Sequence, residues 1–255
     1  MRLTLLSLIL ALGFACADPF TAVQEADTIE AYEAYMADHP DGRFQMQAES
    51  RLEELYLQAA RDGKTLEAYD AYLERFPEGV LLEKAMLERE TFLFDWANAT
   101  NTIASWEKFL EEYPKANKKR KQHARRVLKV LGYSDHLDVG GVRQKKVNLA
   151  ENPDGPLDGW GFQVDVSNNG DKTIESLWMT IEYLGDGDVV LDKRDWPLVA
   201  PYWTTPVEEE RKVPMKPGET RTWDWSTGSL PAKWSEKVRV IPTQLFFVGE
   251  ADKKK

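Results

Sequence analysis

The chain has 255 residues, of which 42% are hydrophobic, 30% charged and 11% aromatic, a composition that folds and leaves room for one large or two modest domains. Its formal net charge of −10 excludes a general attraction to nucleic-acid phosphates, so any such contact must rest on a local patch. One Cys and three His are too few for a disulfide scaffold, a Cys/His zinc cage or an iron–sulfur cluster, and no metal or cofactor is expected.

Met1 and Arg2 precede the uncharged run LTLLSLILALGFACA, which has about the length of a secretory hydrophobic segment with its cleavage site and is short for a membrane span. Residues 1–17 therefore read as a leader. Two exits overlap in it. Ala15-Cys16-Ala17 is a small-x-small site for cleavage before Asp18, while Gly13-Phe14-Ala15-Cys16 resembles a bacterial lipobox, which would make Cys16 a lipid-bearing N-terminus. The lipoprotein resemblance implies outer-membrane sorting, because Ala17 follows the Cys. An exported chain is expected either way, in the periplasm or as an outer-membrane-anchored lipoprotein.

The first half is organised by recurrence. TIEAYEAYMADHPDG begins at Thr28, TLEAYDAYLERFPEG at Thr65 and TIASWEKFLEEYPKA at Thr102, two successive offsets of 37. In each block the apolar residues fall on one helical face: Ile29/Leu66/Ile103, Tyr32/Tyr69/Trp106, Tyr35/Tyr72/Phe109 and Met36/Leu73/Leu110. The leading Thr caps a helix with its hydroxyl, and Pro40, Pro77 and Pro114 stop it. A second helix is expected after each proline, with Ala48, Leu52 and Leu55 recurring as Ala85, Arg89 and Phe92 and as Ala124, Leu128 and Leu131. A lone hairpin cannot cover its apolar stripe, so the three are expected to stack.

The pattern of aromatic, Leu or Met, two variable residues, aromatic or His, then Pro resembles the tetratricopeptide-type (TPR-like) repeats of bacterial envelope lipoproteins over residues 20–132. That resemblance implies a protein–protein scaffold without catalysis, used in envelope assembly.

After Gly132 the period becomes two. Phe162, Val164 and Val166 alternate with polar neighbours, as do Leu177, Met179, Ile181 and Tyr183. Further strands are expected at 143–149, 189–194, 220–225 and 238–248. Asn168-Asn169-Gly170-Asp171 and Gly185-Asp186-Gly187-Asp188 read as reversal signals, the second as a hairpin turn, since Gly and Asn tolerate the positive φ that tight turns require. Six to eight short strands favour an antiparallel β-sandwich over residues 140–249, followed by a charged tail at 250–255. The order of turns and strands resembles small immunoglobulin-like (Ig-like) modules of secreted bacterial proteins, which implies a spacer or a binding unit.

No residue pattern signals an enzyme. His39, His123 and His136 lie in or beside the helical half, and none sits near a nucleophile motif. His39 takes the place of Phe76 and Tyr113 in the other blocks and is expected to pack. The segment from Lys115 to Lys129 carries eight basic residues and no acid, whereas residues 18–138 as a whole hold 16 basic and 24 acidic residues. It either steers an anionic partner or is a solvated last helix whose cations suit its C-terminal end. Seven of nine Trp follow residue 138, a density that suits a sandwich core or a sugar-stacking platform. Tyr202 and Trp203, between Pro201 and Pro206, are the ones expected in an exposed loop.

The sequence thus reads as a multidomain chain, α then β. The leading functional expectation is a non-enzymatic cell-envelope scaffold or adaptor that binds another envelope protein through Tyr32, Tyr69, Trp106 and the basic residues Lys118, Lys119, Arg120, Lys121, Arg125 and Arg126. The alternative is a module that binds cell-wall or surface glycan through Tyr202 and Trp203. A membrane contact is expected only through a lipid on Cys16, and no nucleic-acid partner is expected.

Overall fold

The computed structural model describes residues 19–150, 155–201 and 208–250. Residues 1–17 with Cys16, expected as a leader, Tyr202 and Trp203, expected in an exposed loop, and residues 251–255, in the expected tail, lie outside the described residues. The chain divides into two compact units, Met1–Asp95 and Trp96–Lys255, the division falling inside one helix. A helical N-terminal part followed by antiparallel sheets is the expected order of α then β.

The first unit holds α1 (Pro19–Ala26), α2 (Ile29–Asp38), α3 (Gln45–Gly63), α4 (Leu66–Arg75) and the start of α5 (Leu82–Thr100). The repeat is built from matched caps. Thr28 and Thr65 accept from the backbone N–H of Ala31 and Ala68, each at 3.2 Å, as the sequence predicts. Each Thr follows a residue in the left-handed region, Asp27 at φ 46° and Lys64 at φ 49°, which ends the preceding helix in one step. At the other end the N–H groups of His39 and Phe76 bond the carbonyls of Tyr35 and Tyr72 before the prolines take over.

Burial follows the apolar stripe. Tyr32, Tyr35, Leu52, Leu57, Tyr69 and Tyr72 form one core with Phe20 of α1, which stacks on Phe44 at 4.6 Å. Each such side chain contributes on the order of 1.5–3 kcal/mol. Inside this core sits a carboxylate. Glu53 accepts from the Tyr72 hydroxyl at 2.6 Å and from the Leu81 N–H at 2.7 Å, so its buried carboxyl oxygen is paired by hydrogen bonds. Burial, then the Glu53 hydrogen bond, push the Tyr72 phenol up. Gly79 leaves the space this requires, since a Cβ there would lie 2.2 Å from Glu53 Oε1.

The second unit begins with the end of α5 and contains α6 (Ile103–Glu112), α7 (Lys118–Leu131) and, among the described residues, seven strands. Thr102 and Ser105 form a reciprocal capping box at the start of α6, after Asn101 at φ 47°. The strands are β1 (Leu137–Val139), β2 (Arg143–Val147), β3 (Gly159–Asn168), β4 (Ile174–Leu184), β5 (Val190–Val199), β6 (Thr220–Thr227) and β7 (Lys237–Phe247). In one layer β1 and β2 succeed each other along one side of β3, at Leu137↔Asn168 and Arg143↔Gln163, while β6 pairs the other side at Val164↔Trp223. In the other layer β4 lies between β5 and β7, all antiparallel.

One core fills the space between the layers: Phe162, Val164, Val166 and Trp223 from one, and Leu177, Met179, Ile181, Tyr183, Val240 and Leu245 from the other. Only one of the two expected reversals is a hairpin within a layer. Gly185–Asp188 joins β4 to β5 in the same layer, with Gly187 at φ 68° and Asp188 at φ 59°. Asn168–Asp171 instead carries the chain from β3 in the first layer to β4 in the second. Its fixed point is Asn168, fully buried, whose side chain takes the Tyr133 hydroxyl at 2.9 Å and donates to the Lys172 carbonyl at 2.9 Å.

Candidate basic face of α7

α7 is capped by Asn117, whose side chain accepts from the Lys119 N–H at 2.8 Å, and is closed by Gly132, whose N–H reaches the carbonyls of Leu128 and Val130. Two surfaces hold it. Toward α6, Ala124 is fully buried and the His123 ring meets Trp106 edge-on at 5.2 Å. Toward the sandwich, Val130 and Tyr133 enter the core between the layers, and Tyr133 lies edge-on to Phe247 at 4.7 Å. Lys129 pairs with Glu250 at 3.0 Å and lies over the Phe246 ring. The C-terminal half of α7 is thus fastened to the strands.

The opposite face is open. Lys118, Lys119, Gln122, Arg125 and Arg126 are exposed, and at about 100° per residue they fall within an arc of about 120°. Among the described residues, the side chains of Lys118, Lys119, Arg125 and Arg126 make no ion pair and no hydrogen bond. Arg120 and Lys121 are half-buried, and Lys121 donates to the Pro114 carbonyl at 2.8 Å. Helix stability does not explain the open cations. Lys118 and Lys119 stand in the first turn, which has no acidic residue, so they oppose the helix dipole. Only Lys129 occupies the last turn, where a cation is favoured.

His123 sits beneath this face. Burial, then the charge of Arg126, hold its imidazole below the usual histidine range, so the ring is neutral near pH 7. The arc's charge therefore comes from Lys and Arg alone.

The remaining sequence candidates fall elsewhere. Tyr32, Tyr69 and Trp106 are 3%, 6% and 0% exposed, so their rings are core and offer no contact surface. Among the tryptophans, Trp223 is buried, and Trp160, Trp225 and Trp234 are half-buried around Phe162 and Tyr183. An open cleft of about 580 Å³ runs beside β6, lined in part by Arg211, Arg221, Glu208 and Glu219. Its arginines are already paired, Arg211 with Glu208 and Arg221 with Glu219. Among the described residues there is no cluster of three or more His, Cys, Asp or Glu placed to hold a metal ion, and no helix long and apolar enough to cross a membrane.

No family model and no curated protein matches the chain. Among solved structures it is similar to a Bordetella pertussis protein described as ApaA, at TM-score 0.24 and 13% identity, over 44% of this chain and 90% of that one. It is also similar to the Pseudomonas fluorescens alkylpurine DNA glycosylase AlkC bound to DNA containing an abasic site analog, at TM-score 0.30 and 10% identity, over 84% of this chain and 60% of that one. Neither supports an envelope scaffold, and the second is a DNA glycosylase with DNA bound. Three expectations are corrected on that finding: the envelope scaffold with its glycan-binding alternative, the absence of enzymatic activity, and a set of partners confined to envelope proteins, glycan and membrane with nucleic acid excluded. At this degree of likeness the match gives the chain no activity of its own.

Proposed function

We propose that this is an exported protein with a tetratricopeptide-like first module and an immunoglobulin-like second one, and that it binds a phosphate-bearing polyanion through the open face of α7. The repeat supports the first assignment: cap, left-handed turn and proline recur at offsets of 37. The strand succession supports the second, since the chain crosses between layers after β3, after β5 and after β6. The leader at residues 1–17 supports export.

One observation carries the binding reading. Four exposed cations without partners share one helix face in a chain of net charge −10, and two of them stand where they weaken the helix that bears them. Phosphate groups relieve that arrangement, because each Lys or Arg releases a condensed counterion when it meets a phosphate.

The test is fluorescence anisotropy of a labelled oligonucleotide at 50 mM salt, with displacement by inorganic polyphosphate. The wild-type chain is expected to bind both. A variant with Lys118, Lys119, Arg125 and Arg126 all changed to Gln is expected to bind neither. Equal binding by the two proteins would end the proposal.

A further inference from the structure

We infer that the polyanion is duplex DNA, and that α7 enters its major groove with Gln122 facing the base edges. The inference rests on the polyanion reading above and deepens it.

The arrangement of the open face has two flanks and a midline. At about 100° per residue, Lys118 and Arg125 lie within about 20° of each other, and so do Lys119 and Arg126. The two flanks are about 100° apart, and Gln122 falls midway between them. Within each flank the cations are two turns apart, about 10 Å along the axis. A polyanion lying along a single line on the surface needs one row of cations. Two rows astride a ridge match phosphates on both walls of a groove.

The ridge has the right bulk. A helix with its side chains is about 10–12 Å across, and the B-form major groove is about 12 Å wide. The A-form major groove of RNA is too deep and narrow to admit it. Ala124, on the side away from the arc, is fully buried, so the exposed side is the one left to dock. Lys129, already held by Glu250 and Phe246, marks where the free face stops, which places the stretch from Lys118 to Arg126 in the groove.

Gln122 is exposed, and its side chain makes no hydrogen bond to any described residue. Its amide offers a donor and an acceptor side by side, the pair that matches N7 and N6 of adenine.

The experiment compares anisotropy of a 20-base-pair mixed-sequence DNA duplex, an RNA duplex of the same sequence, one DNA strand and inorganic polyphosphate. Each is titrated with the full chain, with the four-Gln variant described above, and with Gln122→Ala. The DNA duplex is expected to bind about tenfold or more tightly than the RNA duplex. Gln122→Ala is expected to lower affinity for the DNA duplex by about tenfold and to leave polyphosphate binding unchanged. Equal affinity for the two duplexes, or a Gln122→Ala variant that binds the DNA duplex like wild type, would overturn the groove inference. If the four-Gln variant still loses polyphosphate in that case, the polyanion reading stands. If that variant binds every probe like wild type, both fall.

Discussion

Salt gives the basic face of α7 its most quantitative test. Four free cations, Lys118, Lys119, Arg125 and Arg126, can each neutralise one phosphate. The slope of log K against log salt should then be about −3.6 on a duplex and about −2.8 on a single strand. Raising sodium chloride from 50 to 200 mM should weaken duplex binding about 150-fold and single-strand binding about 50-fold. Arg126→Gln should flatten the duplex slope by about 0.9, and the four-Gln variant should abolish it. Anisotropy titrations at four or five salt concentrations give both affinity and slope. The helix itself supplies a control, because removing Lys118 and Lys119 from the first turn relieves an unfavourable dipole interaction of about 0.3–1 kcal/mol each. The four-Gln variant should therefore melt no lower than wild type, so its lost binding is not lost folding. A wild-type slope shallower than about −1, or one unchanged in the variant, would refute the reasoning.

Other parts of the structure give separate outcomes. Thr65→Ala removes the cap of α4 and should cost about 1 kcal/mol, read as a lower urea midpoint with an unchanged m-value. Asn168→Ala strands the buried Tyr133 hydroxyl and the Lys172 carbonyl and should cost about 1–3 kcal/mol in the second unit, read by near-ultraviolet circular dichroism during urea unfolding. His123 links stability to pH. Its folded pKa is depressed, so its contribution is present above the unfolded value of about 6.5 and is lost as pH falls through the folded one. The Tm should drop between pH 7.5 and 5, and should drop less in His123→Phe.

Local signals in the sequence carried well. Thr28, Thr65 and Thr102 announce helix starts because a hydroxyl cap needs only its own neighbours, and all three caps form. Asp27, Lys64 and Asn101 stand at the same offset and share positive φ, yet three different residue types hide that recurrence from a reading by identity. Tyr32, Tyr69 and Trp106 were legible as a stripe, but a stripe at helical spacing is what a helix buries, and burial took their rings out of reach. Gly132 reads as a boundary, whereas Val130 and Tyr133 on either side of it enter the sandwich core. The turn at Asn168 shows the limit of local chemistry: its residues specify a reversal, and only the packing of Leu177 and Met179 against Phe162 and Val164 decides which layer receives the next strand. The open face of α7 was legible as a charge run. Which of its cations stay free was not, because that depends on where Pro114, Phe246 and Glu250 come to lie.

Competitive lysine acylation, read by mass spectrometry with and without saturating DNA duplex, tests the role of α7 most directly. Lys118 and Lys119 should be shielded several-fold, while Lys64 and Lys233, also exposed, label at their free rates. Unchanged labelling of Lys118 and Lys119 in the presence of bound duplex would contradict the account.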